Sequence, residues 1–282
     1  METKDISNLA ETLAREMKAP VEVLQGSLPN LRRVAVPAGW SVTEFNDEKY
    51  RLQPTRKKAN VVLHDTAGFI DYVTRHGSLD DTTIWCKANY AKGLVSLNAI
   101  INDHGIADTA TAWRDHLASY TPTFASEWTS WLEQDKKPLN QAEFAMFLET
   151  NLKDIATVEG SPTGAQILEM ALSFEANQDM RFKSAIRLQN GGVQMSFVQD
   201  DDDQTLAKMQ MFDRFSLGLP VFWNGEAYRL DARLRYRVRD GKLSFWYEII
   251  RADKVLESAT QTIITEIRDK TGLPFFFGEA FA

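Results

Sequence analysis

Residues 226–251 constrain the fold of this chain more than any other stretch, because apolar and charged side chains alternate strictly from Tyr228 to Arg239. The apolar set is Tyr228, Leu230, Ala232, Leu234, Tyr236 and Val238, and the charged set is Arg229, Asp231, Arg233, Arg235, Arg237 and Arg239. A period of two places the two sets on opposite faces of a β-strand. Asp240-Gly241 then supplies a dipeptide favoured in two-residue hairpin turns. The segment therefore predicts a β-hairpin with an apolar face and a basic face.

The predicted turn also fixes which residues of the two strands lie opposite each other. The apolar pairs are Val238 with Leu243, Tyr236 with Phe245, Leu234 with Tyr247, and Ala232 with Ile249. On the basic face, Arg235 comes opposite Trp246, and Arg233 comes opposite Glu248. Because opposite side chains interact across a sheet, this register predicts an Arg235–Trp246 cation–π contact and an Arg233–Glu248 ion pair.

The whole chain predicts an α+β protein with mainly antiparallel sheets built from hairpins, a helical middle segment and a C-terminal helix. Helical spacing and capping residues predict helices before Pro20, from Asp65 to Gly77, from Ser126 to Gln134, from Asn140 to Ile155, from Ser161 to Glu175, and from Asp253 to Gly272. Strands are predicted at 31–36, 60–64, 82–87, 94–101, 113–120, 181–188, 193–197 and 215–222.

Strands and helices do not alternate regularly, which argues against a doubly wound parallel sheet. We expect an N-terminal α+β part at residues 1–122, a helical segment at 123–178, and a hairpin part with its closing helix at 179–282. One continuous domain is the alternative to this division.

Composition and charge exclude several classes of protein. The 282 residues carry a net charge of -7 with a pI near 5.3, which argues against a protein that coats nucleic acid with its whole surface. A single cysteine, Cys86, excludes an internal disulfide framework and a cysteine-based zinc site. No apolar run is long enough to span a bilayer, and the first residues lack the apolar stretch of a signal peptide. We expect a cytoplasmic protein without a membrane partner.

Two Asp-His pairs are the first candidates for a metal site. Asp103-His104 and Asp115-His116 lie near the facing ends of two neighbouring predicted strands. Imidazole and carboxylate groups are metal ligands, but alternation along a strand sends the Asp and His of each pair to opposite faces. We therefore interpret them as polar residues at strand ends.

An acidic run, Asp200, Asp201, Asp202 and Asp203, offers hard oxygen ligands for a divalent cation. It lacks the ligand spacing and the glycine turn of a calcium loop, so a solvated loop is favoured, and docking on a basic surface is a further alternative. Cys86 has no neighbouring histidine in the sequence to activate it, and no nucleophile elbow or phosphate loop is present. We predict no catalytic residue, no metal and no cofactor.

The basic face of the hairpin is the main candidate interaction surface. It would carry Arg229, Arg233, Arg235, Arg237 and Arg239, with Trp246 beside them. Three interpretations remain open: a solvated face paired with its own Asp231 and Glu248, docking on an acidic protein surface, or contact with phosphates while Trp246 stacks on a base. The acidity of the whole chain opposes long-range attraction of a polyanion and places nucleic acid last.

The C-terminal segment is the second candidate. Gly272 ends the predicted helix and Pro274 prevents its continuation, so Phe275, Phe276 and Phe277 should be extended, with Phe276 on one side and the other two opposite. Burial of each phenylalanine ring stabilises the folded state by about 2 kcal/mol. A peripheral strand covered on one face only would leave the rings on its other face exposed to water. We expect one side to be covered by the protein's own sheet and the other by a further element. A neighbouring subunit is one candidate for that element, and it would make the segment part of a homo-oligomer interface.

Long stretches of the chain resemble the YfdQ-like family of tailed phages and prophages, which is classed as a domain of unknown function. The resemblance is carried by residues 127–155 (EWTSWLEQDKKPLNQAEFAMFLETNLKDI), 215–259, 271–280 and 34–40, and by Asn102-Asp103-His104. It implies a phage protein made in the bacterial cytoplasm and supplies no catalytic residues. A non-enzymatic homo-oligomer is the leading expectation. A nucleic-acid-associated accessory protein of phage replication or recombination is the alternative, and an inhibitor of a host defence protein is a third class.

Overall fold

The structure of the protein is a computed structural model. It describes residues 21–25, 32–35, 51–105, 110–173, 180–187, 192–199, 205–239 and 242–280. The chain divides into two compact units, Met1–Lys57 and Lys58–Ala282. Residues from all three expected parts contribute to the second unit, and the division at 122 and 178 stays a prediction.

The first unit contains one antiparallel pair of strands, β1 (Val21–Gln25) and β2 (Arg32–Ala35). The strand predicted at 31–36 is therefore confirmed in position. The helix predicted before Pro20 lies outside the described residues.

A five-stranded mixed sheet occupies one part of the second unit. Its strands are β3 (Ala59–Leu63), β4 (Thr83–Asn89), β5 (Leu94–Ile100), β6 (His116–Tyr120) and β14 (Phe275–Phe277), in the order β14-β4-β5-β6-β3. The two outer pairs, β14 with β4 and β3 with β6, are parallel. The strand predicted at 113–120 begins only at His116, because Arg114 adopts a positive φ of 54°.

Helix α1 (Thr66–His76) packs on this sheet through the buried side chains of Phe69, Ile70 and Val73. It begins where the sequence predicts, since the Asp65 carboxylate accepts a hydrogen bond from the backbone N–H of Gly68 at 2.7 Å. It ends at the predicted Gly77, whose N–H donates to the Val73 carbonyl oxygen at 2.7 Å.

The predicted hairpin forms the centre of a four-stranded antiparallel sheet. Its strands are β7 (Leu139–Asn140), β11 (Arg214–Pro220), β12 (Ala227–Arg239) and β13 (Lys242–Ile249), in the order β11-β12-β13-β7. All six predicted pairs, from Ala232–Ile249 to Val238–Leu243, are confirmed as Cα partners. The turn residues, Asp240 and Gly241, lie outside the described residues.

Helices α2 (Ser126–Gln134), α3 (Gln141–Thr150) and α4 (Gly164–Ser173) supply the helical middle segment. Asn140 and Glu143 form the predicted capping box of α3, each side chain accepting from the other's backbone N–H. The apolar face of the hairpin packs on these helices, with the rings of Phe144 and Phe245 stacked at 5.1 Å. The core therefore joins segments that lie far apart in the sequence.

A third, antiparallel sheet has the order β10-β9-β8 and comprises β8 (Met180–Arg187), β9 (Gly192–Gln199) and β10 (Thr205–Phe212).

Helix α5 (Ala252–Thr271) follows the hairpin and ends at Gly272, which has the left-handed φ of 65° expected of a helix terminator. The predicted N-cap, Asp253, is wrong. Arg251 occupies that position at a φ of 56°, and the Asp253 carboxylate accepts hydrogen bonds from the Arg251 side chain, which lowers the pKa of Asp253.

The α+β class is thus confirmed, and among the described strands parallel pairing occurs only at the two edges of one sheet. Among the helices of the described ranges, none combines the length and the apolar character needed to cross a bilayer.

Candidate interaction surfaces

The outward face of the hairpin is strongly basic. Arg229, Arg233, Arg235 and Arg237 are all exposed on β12, while Leu234 between them is buried. Trp246 lies opposite Arg235 on the same face and is only partly buried. Arg239 belongs to the same strand and pairs with Lys242 through its backbone, but its side chain is outside what the structure describes. The predicted separation of an apolar and a basic face is therefore present.

A further arginine, Arg214, joins this surface from β11. It is exposed, and the strand register places it directly opposite Arg233. Like charges in directly opposite positions destabilise a sheet, so this pair has an unfavourable local electrostatic energy unless an anion is bound. Sequence reasoning missed Arg214, because its position depends on the β11–β12 register, for which Asn224-Gly225 was the only local signal. We call Arg214, Arg229, Arg233, Arg235, Arg237 and Trp246 the arginine surface.

Only part of this positive charge is neutralised within the surface. The Arg229 Nε lies 3.1 Å from the Asp231 carboxylate, and an Arg235 Nη lies 3.5 Å from the Glu248 carboxylate. The predicted Arg233–Glu248 ion pair is wrong, because Glu248 turns diagonally towards Arg235. Arg235 and Trp246 are directly opposite each other, as predicted. The predicted cation–π contact between these two described side chains is not formed.

Three arginines of the surface, Arg214, Arg233 and Arg237, have no carboxylate of the described residues within 4.0 Å. The cross-strand pairing of Trp246 with Arg235 puts Arg233 and Arg237 at the two diagonal positions beside the indole. An aromatic side chain thus lies between two guanidinium groups that retain their capacity to bind an anion.

The C-terminal strand β14 adds an apolar edge to the five-stranded sheet. The Phe276 ring packs 5.0 Å from the Trp85 ring, while Phe275 and Phe277 lie on the other side under the Arg268 guanidinium, at 4.7 and 5.8 Å. The predicted alternation of the three rings is therefore confirmed. Coverage of both sides is not complete within the chain, since Phe276 is 45% and Phe277 is 56% exposed.

Acidic residues are concentrated elsewhere. A cleft of about 400 Å³ is lined by Asp65, Glu226 and Glu266, together with Tyr120 and Trp223. Burial raises the pKa of the Tyr120 hydroxyl, and the nearby carboxylates of Asp65 and Glu266 raise it further, against the effect of its hydrogen bond with Thr66. The structure therefore segregates positive and negative charge, as the sequence indicates. The acidic run Asp200, Asp201, Asp202 and Asp203 lies outside the described residues.

Residues of both Asp-His pairs are engaged by neighbouring side chains. Buried Asp103 accepts a hydrogen bond from the Thr83 hydroxyl at 2.5 Å and lies 2.8 Å from the Arg114 Nε. His116 is buried and shares a hydrogen bond of 2.8 Å with the Tyr72 hydroxyl, while Asp115 accepts from the Asn102 amide. Within the described ranges, no group of three or more His, Cys, Asp or Glu residues is arranged to hold a metal ion.

Cys86 lies in the buried middle of β4, on the core side of the sheet. Burial raises the pKa of its thiol to about 11. Since the thiolate is the nucleophilic form, this thiol is suited to packing rather than to reaction near neutral pH.

Comparison with known protein families places these surfaces in a wider group. A family of uncharacterized conserved proteins, DUF2303, matches residues 4–280, which is nearly the whole chain. The chain belongs to this family. No curated protein and no solved structure matches it. Both the arginine surface and β14 fall within the part that matches DUF2303.

Proposed function

We propose that this DUF2303 protein is a cytoplasmic phage or prophage protein of the YfdQ-like kind, with a structural, non-catalytic role that it performs as a homo-oligomer. The phage origin is supported by the resemblance of residues 127–155, 215–259 and 271–280 to that family. The described side chains support an interaction role better than a catalytic one, since the most distinctive groups are exposed arginines and phenylalanines rather than a convergent set of acids, bases and nucleophiles.

The observation that carries the proposal is the exposure of β14. Phe276 and Phe277 leave about half of their side-chain surface in water, on a strand whose outer edge is unpaired by any strand of the described ranges. Open strand edges pair readily with other chains, and natural proteins usually protect them with charge, proline or a covering element. Here the edge carries aromatic rings, so pairing with the equivalent edge of a second copy would bury apolar surface on both chains.

A symmetric contact through β14 also fits the aromatic pair beneath it. Phe276 and Trp85 already form one packed surface within the chain. In a two-fold contact the same patch of each copy meets its equivalent, so that the Phe276–Trp85 surfaces of two copies can pack together. The three-residue strand offers few backbone hydrogen bonds, so side-chain burial supplies most of the association energy.

Sedimentation velocity and light scattering on the purified protein test this proposal. The wild-type protein should have a mass that is a multiple of 32.0 kDa. Replacement of both exposed rings, Phe276→Ser with Phe277→Ser, should shift the species towards 32.0 kDa without loss of the folded state.

Leu94→Ser is the matched control, because Leu94 is 59% exposed on an inner strand of the same sheet. This variant should assemble as the wild type does. A wild-type protein that sediments as a monomer, or a double variant that assembles fully, would refute the role of β14.

A further inference from the structure

We infer that the arginine surface binds single-stranded nucleic acid, with phosphates held by Arg214, Arg233 and Arg237 and a base stacked on Trp246. The arginine surface and β14 belong to different sheets, so the inference is independent of self-assembly. The arginine surface carries an excess of positive charge that its internal ion pairs do not neutralise.

Two of the acids nearest to these arginines are already engaged. Asp231 pairs with Arg229 and Glu248 pairs with Arg235. The remaining three arginines include Arg214 and Arg233, which repel each other from directly opposite positions. An anion between them would accept hydrogen bonds from both guanidinium groups and convert this repulsion into attraction. The local positive charge therefore favours binding of an anionic ligand, although the net charge of the whole chain is negative.

The spacing of the surface identifies the class of anion. Arg233 and Arg237 are four residues apart on one face of β12, which separates them by about 13 Å along the strand. In an extended single strand of nucleic acid, phosphates that are two nucleotides apart are separated by a comparable distance. Trp246 lies between the two arginines on the neighbouring strand, at the position where a base would project from the backbone.

The partly buried indole distinguishes a single strand from a duplex. Aromatic side chains on an open sheet bind single strands because the bases can leave their own stack and lie on the ring. In a duplex the bases stay stacked inside the helix, so Trp246 would have no base to bind. An acidic protein surface would engage the arginines equally well but would gain nothing specific from the indole.

The net charge of -7 does not oppose binding at this range. Exposed charges more than about 8 Å apart are largely screened at physiological salt. The acidic cleft lined by Asp65, Glu226 and Glu266 is a separate feature, built from residues outside the arginine surface. Contact with phosphates is therefore governed by the nearby arginines, while the acidic remainder slows long-range association.

Fluorescence anisotropy with a labelled 20-nucleotide single-stranded DNA, titrated over a range of salt concentrations, tests the inference. The wild type should bind, with an affinity that falls as salt rises by a slope of about 0.7 per phosphate contact. Arg233→Gln with Arg237→Gln should weaken binding at least tenfold at low salt and reduce the slope by about 1.4. Arg214→Gln removes one such contact and should reduce the salt slope by about 0.7.

The control variant is Lys254→Gln with Lys270→Gln, which removes the same charge from two exposed lysines on α5. It should bind DNA within twofold of the wild type. Trp246→Leu should weaken binding several-fold while leaving the salt slope unchanged, because stacking releases no counterions. Sedimentation should match the wild type in every variant and no melting temperature should fall, since the altered side chains lie outside the core.

Three results would overturn the inference. They are absence of wild-type binding at low salt, an equal loss of affinity in the arginine and lysine variants, and equal or tighter binding of duplex DNA of the same sequence. If polyglutamate displaces the oligonucleotide and binding is indifferent to Trp246→Leu, the surface is instead a docking site for an acidic protein.

Discussion

The Tyr247 hydroxyl donates a hydrogen bond of 2.7 Å to the backbone carbonyl oxygen of Trp131, across 116 residues of sequence. This bond ties the second strand of the hairpin to the last turn of α2 inside the core. Burial raises the pKa of Tyr247 above its ordinary value, with a further contribution from the nearby Asp135 carboxylate, so the hydroxyl keeps its proton.

Tyr247→Phe should therefore reduce the free energy of unfolding by about 1–3 kcal/mol, because it leaves a buried carbonyl oxygen without its donor. Urea unfolding followed by circular dichroism measures the change. Tyr228→Phe is the matched control, since its hydroxyl bond with Thr262 is exposed and water can replace the lost partner. Equal unfolding midpoints for the two variants would contradict a special contribution from the buried bond.

Leu234→Asp should destabilise the protein by several kcal/mol, because it places a carboxylate without a partner on the buried face of the hairpin. That loss approaches the whole folding free energy of an ordinary domain. Ser244→Asp adds the same charge to the outward face, opposite Arg237, and should leave the melting temperature nearly unchanged. A soluble Leu234→Asp protein that melts with the wild type would show that the apolar face has been assigned to the wrong side.

Asn140→Ala should cost about 1 kcal/mol, since it removes the side chain that accepts from the Glu143 N–H at the start of α3. Glu143→Gln retains an oxygen that can accept from the Asn140 N–H and should cost less. Thermal unfolding compares the two variants. A larger loss in Glu143→Gln would indicate that charge, rather than the reciprocal hydrogen bonds, stabilises this helix start.

The buried thiol of Cys86 should make the protein less stable between about pH 9 and pH 11. Its pKa is raised to about 11 in the folded state, so in this window the unfolded chain loses the thiol proton while the folded chain keeps it. The stabilisation from the protonated thiol is fully present below the pKa of Cys86 in the unfolded chain. It is lost as the pH rises through the pKa of Cys86 in the folded protein. The free energy of unfolding should fall by up to about 3 kcal/mol across this window.

Cys86→Ala isolates this effect from the tyrosines, which ionise in the same range. The variant should be less stable than the wild type at pH 8 because of the small cavity. The difference should shrink as the pH rises from 8.5 to 10.5 in paired urea titrations. Parallel curves for the two proteins would show that the thiol does not titrate differently in the folded and unfolded states.

Sequence reasoning succeeded where one local pattern determined the structure. The register of the hairpin follows from alternation and a two-residue turn, and the limits of α1 follow from Asp65 and Gly77. It failed where the outcome depends on distant segments or on side-chain rotation. Glu248 pairs with Arg235 rather than Arg233 because of its side-chain rotamer, which the strand register does not determine. The parallel pairing of β14 with β4 could not be predicted, because neither segment carries a sequence pattern that indicates its partner.

The candidate surfaces were predicted to a similar extent. Alternation alone placed four of the exposed arginines and the three phenylalanines on their faces. Arg214 could not be assigned, because a single arginine after Asp213 has no periodic context until β11 is aligned with β12. The start of α5 was misplaced for a related reason, since a left-handed Arg251 cannot be recognised from residue type.

The parallel pairing of β14 with β4 has a consequence for biosynthesis. Lys87 in β4 pairs with Glu279 after β14 across 192 residues, a distance that a ribosome needs about 10–40 s to translate. During that interval the emerging sheet has an open edge at β4, with the indole of Trp85 lacking its cover from Phe276. Nascent chains on neighbouring ribosomes of one messenger would then present the same unprotected edge to each other, until β14 arrives, pairs with β4 and covers Trp85.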